Sequence, residues 1–168
     1  MNGEQKPCYP VFLRLQGRIC LVVGGGRVAW RKITGLLQSG ARVRVVAPET
    51  APEVAAAAAA GELEHLPREF RDGDLDGAFL VYAATSSAAA NREVLAGARR
   101  RGILAAAVDG SWREGDFVTP ARFAAEGATI AVSTDGRSCT RARDLKNRLR
   151  LLLAANGKRE DEEEADAG

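Results

Sequence analysis

The stretch ICLVVGGGRVAWRK, residues 19–32, decides the fold. Ile19–Val23 is an unbroken apolar run, the pattern of a parallel strand buried on both faces. Three glycines follow, and after them apolar residues recur at helical spacing. Strand, glycine turn and helix together form the setting in which G-x-G-x-x-G/A reads as a dinucleotide loop, here Gly24, Gly26 and Ala29. Gly24 permits the tight turn, Gly26 lets the backbone approach a pyrophosphate, and Ala29 lets helix and strand pack closely. The helix N-terminus then offers N–H groups to phosphate oxygens. A plain strand-to-helix turn is the alternative.

Outward from this loop, strand and helix signals alternate. The helix 27–41 carries Val28, Ile33, Leu36 and Leu37 on a stripe, with Gly40 as its stop. RVRVVAPE (42–49) is a second strand closed by Pro48. An Ala-rich helix follows, with Thr50 as N-cap. LEHLPREF (63–70) is a third strand, placed near an edge by Pro67. GAFLVYAAT (77–85) is a strong strand. The next helix starts at serine and ends in three arginines before Gly102, which suits the helix dipole. ILAAAVD (103–109) is another strand. This rhythm predicts an α/β fold, a Rossmann-like doubly wound parallel sheet. GDFVTPARF (115–123) and ATIAVST (128–134) then read as two strands without a helix between them. A long basic helix closes the series, with Ala142, Leu145, Leu149 and Leu152 on one stripe. The expected division is a dinucleotide domain over 1–112, a small α+β dimerisation and substrate unit over 113–156, and a disordered acidic tail over 157–168. The second unit is too small to fold alone, which favours a homodimer.

Composition narrows the function. Of 168 residues, 46% are hydrophobic but only 5% aromatic, so Ala, Val and Leu build the core. No apolar run approaches the roughly 20 residues of a membrane span, and MNGEQKPCYP has no signal-peptide core; a cytoplasmic protein is expected. Cys8, Cys20 and Cys139 are odd in number and lack CxxC spacing, which argues against disulfides and zinc. The lone His65 reads as structural, and no protein metal site is expected. The tail KREDEEEADAG holds two basic and six acidic residues. Without it the body carries 22 basic against 16 acidic residues, a surplus that suits an anionic ligand. Basic and aromatic residues are not interleaved, so nucleic acid is not the expected partner. Trp30 and Trp112 read as packing residues. Glu49, 25 positions after Gly24, is the candidate for an adenine ribose, and with no arginine directly after it the cofactor reads as NAD rather than NADP.

Five blocks occur in order: YPVFLRLQGRICLVVGGGRVAWRK (9–32), VRVVAPE (43–49), LVYAAT (80–85) with Asn91 after it, AVDGSWREGDFVTPA (107–121) and IAVSTDGRSCTRARDLKNRLR (130–150). Together they resemble precorrin-2 dehydrogenase, the N-terminal module of siroheme synthases, over about residues 9–153. The resemblance implies NAD-dependent oxidation of precorrin-2 to sirohydrochlorin, and in some relatives insertion of Fe2+ to give siroheme. The substrate is a tetrapyrrole with eight carboxylates. The resemblance places the family's key acid at Asp109; a carboxylate at a strand's C-terminal end, beside the ligand crevice, suits a proton acceptor. It sets Arg27, Val28, Pro48 and Glu49 on the adenosine and pyrophosphate side and Thr85 on the nicotinamide side. Arg137 and Ser138 are the candidates for substrate carboxylates; the other basic residues of the long helix read mostly as a solvated face. Thr134 stands where some relatives carry a serine that can be phosphorylated. The chain departs from the family pattern at Cys139, where proline usually follows the serine, at Arg141, where leucine is usual, and in LAAAV before Asp109. Many relatives continue into a helical region where this chain has its acidic tail, which sets chelation behind dehydrogenation. The competing readings are a chelatase alone and a dinucleotide-sensing module without turnover.

Overall fold

A continuous apolar run can be buried only if both faces of its sheet are covered, and that is the setting of β1 (Ile19–Val23). The structure, a computed structural model, describes residues 7–109 and 113–166, with side chains through Ala155. β1 lies at the centre of a five-stranded parallel sheet, between β2 (Arg42–Val46) and β4 (Leu80–Ala83), with β3 (Leu63–Leu66) and β5 (Leu104–Ala107) at the edges. The order β3-β2-β1-β4-β5 reverses at β1, so a crevice opens between the tips of β1 and β4. This is the Rossmann-like fold that the alternating pattern predicts.

Alternate residues of β1 face opposite cores. Cys20 and Val22 pack with α1 (Arg27–Gln38) and α2 (Pro52–Ala59) through Ala29, Ile33, Leu36, Val54 and Ala57. Leu21 and Val23 pack with α3 (Ala88–Arg101) through Val94, Leu95 and Ala98. Ile33 is fully buried, worth about 2–3 kcal/mol of transfer free energy. Burial also pushes the Cys20 thiol up to about 11. Gly40 (φ 73°) and Gly102 (φ 66°) end α1 and α3 in the left-handed conformation, as expected of helix stops. His65 is structural, its Nε2 3.0 Å from the Ala47 carbonyl oxygen.

Two local expectations fail. Val28 is not on the buried stripe of α1; it is 46% exposed, and Ala29 takes the core position. The stripe is Ala29, Ile33 and Leu36, four and three residues apart, and Val28 lies one step round the helix. Thr50 does not cap α2. Ala51 is the N-cap, Pro52 stands at the first helical position, and Thr50 lies over the glycine loop instead.

A polar cluster anticipated by no motif sits beside α3. In a 3₁₀ turn over Asp72–Leu75, Asp74 is nearly buried and receives both ends of the Arg68 guanidinium, at 2.8 and 2.6 Å, together with the Arg71 N–H. Arg68 holds the Asp74 carboxyl below the usual carboxylate range. The last-turn arginines of α3 do more than oppose a dipole: Arg100 and Arg101 both bind Asp72.

The chain divides into a unit of Tyr9–Phe117 and a second made of 118–166 with Pro7 and Cys8. The expected boundary at 112, and the packing role of Trp112, lie outside the described residues. Residues 113–117 belong to the first unit for a physical reason. Asp116 donates its N–H to the Ala105 carbonyl and accepts the Ala105 N–H on Oδ2, while Phe117 packs edge-on against Tyr82. The strand expected from 115 therefore begins only at Ala121. In the second unit β6 (Ala121–Ala125) and β7 (Ala128–Val132) pair antiparallel around Glu126 and Gly127, both at positive φ. α4 (Cys139–Asp166) lies against both strands. It runs through the segment expected as a disordered tail; Ala, Glu, Lys and Arg there are all good helix formers.

Candidate functional site

The candidate site grows from the strand tips of the first unit. Beyond the strands the ladder continues for one residue: Gly24 N–H donates to Val46, Ala84 N–H to Val23 and Val108 N–H to Ala83. The tips of β2, β1, β4 and β5 therefore stand in step, and the residues one row further are Gly25, Thr85 and Asp109.

Each glycine of the loop answers a different constraint. Gly24 holds φ 115°, and a side chain there would overlap the Ala84 carbonyl oxygen. Gly25, given no role by the fingerprint, lies under the β2–α2 connection: a Cβ would stand 2.5 Å from the Glu49 carbonyl oxygen and 2.7 Å from Thr50 Cγ2. Its own carbonyl accepts the Ala51 N–H at 2.8 Å, which ties the two loops together. At Gly26 a Cβ would meet nothing within 4 Å. Gly26 is the N-cap of α1, without a side-chain cap, and the N–H groups of the first turn have no intrahelical acceptor. Gly26, Arg27 and Val28 are exposed. Open space beside unpaired helix N–H groups fits the pyrophosphate of a dinucleotide. Pro48 and Glu49 are exposed at the tip of β2, next to this loop.

The opposite side of the crevice is built from side chains. Asp109, half-buried after β5, accepts a 2.7 Å hydrogen bond from Asn91 Nδ2. Asn91 is 0% exposed. Its Nδ2 also donates to the Thr85 carbonyl at 3.1 Å, and its Oδ1 accepts from Thr85 N–H (3.1 Å) and Thr85 Oγ1 (2.8 Å). Asn91 reaches this place because Asn91, Val94, Leu95 and Ala98 form the buried stripe of α3, whose N-cap is Ser87. An amide on an otherwise apolar stripe is the sequence signal that would have found it.

Arg137, Ser138 and Thr134 belong to the second unit, and the structure does not gather them with the residues above into one unit. Ser138 is the N-cap of α4, its Oγ accepting from Arg141 N–H at 3.1 Å. The Thr134 hydroxyl donates to the Ser138 carbonyl and accepts the Ser138 N–H. Arg137 is exposed on the turn, as are Arg141, Arg143, Arg148 and Arg150 on α4. Cys139 is the first helical residue, a position that suits the proline of the related pattern. Among the described residues no group of three or more His, Cys, Asp or Glu gathers to hold a metal ion, and no helix is long and apolar enough to cross a membrane.

A family model described as NAD(P)-binding matches residues 11–121. Siroheme synthases of Chromobacterium violaceum and Thioalkalivibrio sulfidiphilus are each 44% identical over 147 residues, 88% of this chain. The chain spans 31% and 30% of their lengths. The solved structure of SirC, precorrin-2 dehydrogenase, superposes with a TM-score of 0.71 at 35% identity, covering 89% of this chain and 71% of that one. With its parallel sheet, glycine loop and two-unit division, the chain belongs to the NAD(P)-binding family of precorrin-2 dehydrogenases.

Proposed function

We propose that this chain oxidises precorrin-2 to sirohydrochlorin with NAD+ as acceptor. The observation that carries the reading is the Asp109 carboxylate, held by Asn91 one row beyond the strand ladder and level with the glycine loop. When bound, NAD+ accepts a hydride at its nicotinamide ring. The first-turn N–H groups at Arg27 and Val28, beside Gly24 and Gly26, hold the pyrophosphate. Glu49, next to Pro48, accepts a ribose hydroxyl, and Thr85 borders the nicotinamide. Removal of two hydrogens from the substrate divides into one hydride, which leaves carbon, and one proton, which Asp109 accepts and passes to water. Arg137 and the exposed arginines of α4 attract an octacarboxylate; Ser138, its hydroxyl engaged as a helix cap, shapes the turn that presents them.

The same reading includes a cytoplasmic setting and a homodimer through α4, where Leu149, Leu151 and Leu152 are 39%, 69% and 62% exposed. Sedimentation should give twice the chain mass. Ferrous iron enters as a substrate of a second step, in which it replaces two pyrrole N–H protons that Asp109 takes one at a time and passes to water. The decisive experiment incubates the protein with precorrin-2 and NAD+. NADH and sirohydrochlorin should appear together in equal amounts; the absence of both would refute the proposal. Adding Fe2+ or Co2+ to sirohydrochlorin tests the second step separately.

A further inference from the structure

The amide of Asn91 has two N–H bonds to give and two lone pairs to accept with. All four are used, and none on water: the residue is 0% exposed. Three of the four partners are on Thr85, its N–H, its hydroxyl and its carbonyl; the fourth is Asp109 Oδ2. One planar group thus ties the tip of β4 to the tip of β5 from beneath, out of α3. The sheet ladder already joins β4 to β5, so the amide is not needed to pair the strands; what it adds is partners for the polar groups at their tips, the Thr85 N–H and carbonyl and the Asp109 carboxylate.

We infer that Asn91 is a positioning residue for the oxidation: it fixes the proton-accepting carboxylate of Asp109 relative to the seat that Thr85 offers the hydride acceptor. The inference rests on the reading of Asp109 as proton acceptor. Asn91 acts in two ways. Its N–H is a donor with no proton to release at neutral pH, so it favours the ionised carboxylate that can act as base. Its plane, locked by three bonds to Thr85, sets the direction from which that carboxylate is held. Asn91 itself touches neither substrate nor cofactor, so its removal changes chemistry more than cofactor affinity.

Two variants test this in the full-length protein. Asn91→Leu keeps the branch at Cγ and the number of side-chain heavy atoms and removes every hydrogen bond. Its kcat should fall roughly 10²-fold, within the range a positioned proton acceptor contributes, while the NAD+ dissociation constant, read by direct titration, shifts less than about fivefold. Asn91→Asp puts two carboxylates where the 2.7 Å hydrogen bond now lies, so they must share a proton. The acidic limb of kcat against pH should then move up by about one unit or more. A residue out of contact with the titrating base would leave that limb in place. Unchanged kcat in Asn91→Leu overturns the inference; so does a loss of NAD+ affinity in step with kcat. If Asn91→Leu does not fold, the pH profile of Asn91→Asp decides alone, and an unmoved limb refutes it. Absence of turnover in the unaltered protein overturns the dehydrogenase reading itself. Turnover that is indifferent to Asn91 overturns only its positioning role.

Discussion

At the tip of β1 the chain makes room by omitting side chains; two strands away, at the tip of β5, it fills the space with side chains that hold one another. Gly24, Gly25 and Gly26 form a surface of backbone, bounded by Ala84, Glu49 and open space in turn. Thr85, Asn91 and Asp109 form a hydrogen-bonded set centred on Asn91. The two corners stand in one row of strand tips, yet they differ in what they can do. A backbone surface can bind, because N–H groups and a helix terminus need no side chain. It offers no group that changes its protonation state. The acid corner supplies that group and fixes where it points.

This contrast can be broken by substitution. The largest effect belongs to Asp109→Asn, in which kcat/KM should drop about 10²- to 10⁴-fold with NAD+ affinity and melting temperature almost unchanged. A parallel loss of NAD+ binding would show that the corners are not separate. Gly26→Asp should do the reverse. The position has room for a side chain, so the fold persists, but a carboxylate there would face the pyrophosphate that we propose at this loop. NAD+ affinity should fall roughly 10²-fold, about 2.8 kcal/mol, in a titration that leaves the melting temperature within a few degrees. Gly25→Ala sharpens the division inside the loop. Its methyl group must displace Glu49 and Thr50, which should lower stability by about 1–3 kcal/mol and weaken NAD+ binding less than Gly26→Asp does.

The smallest effect comes from the polar cluster remote from both corners. Arg68 lowers the folded-state titration of Asp74. A carboxyl lowered in this way contributes stability above its unfolded value, and the contribution is lost as pH falls through the folded one. The melting-temperature gap between the natural chain and Asp74→Asn should therefore be constant at neutral pH and close below about pH 4.

The glycine corner was legible because its physics leaves a pattern. Positive φ and close backbone approach exclude side chains, and the strand and helix around Gly24–Gly26 announce themselves by periodicity. Even there the role of Gly25 was invisible, since its neighbour arrives from a loop more than twenty residues later. The sheet, its edge strand β3 and the helix stops at Gly40 and Gly102 could be read in the same way. Asp109 is legible through the family resemblance, and Asn91 only as an amide on an otherwise apolar helix stripe. A side-chain set that draws on positions 85, 91 and 109 spans three elements and carries no period. The misplacements have similar causes. The residues Asp116 and Phe117 look like the start of a new strand, but long-range contacts with Ala105 and Tyr82 hold them on the first unit. Val28 is apolar and helical, yet one step round the helix sets it at the crevice instead of in the core.

The buried thiol of β1 gives the dinucleotide unit a built-in clock. Cys8 and Cys139 are exposed, and both belong to the other unit. Cys20, pushed up to about 11 and sealed between the sheet and its helices, reacts as a thiolate only when those layers part. In a thiol-reagent assay the first two cysteines should label at once, and the third should follow the rate at which the sheet opens. Because NAD+ binds the folded unit alone, adding it should slow that third step, so the chain reports its own cofactor occupancy without an attached probe.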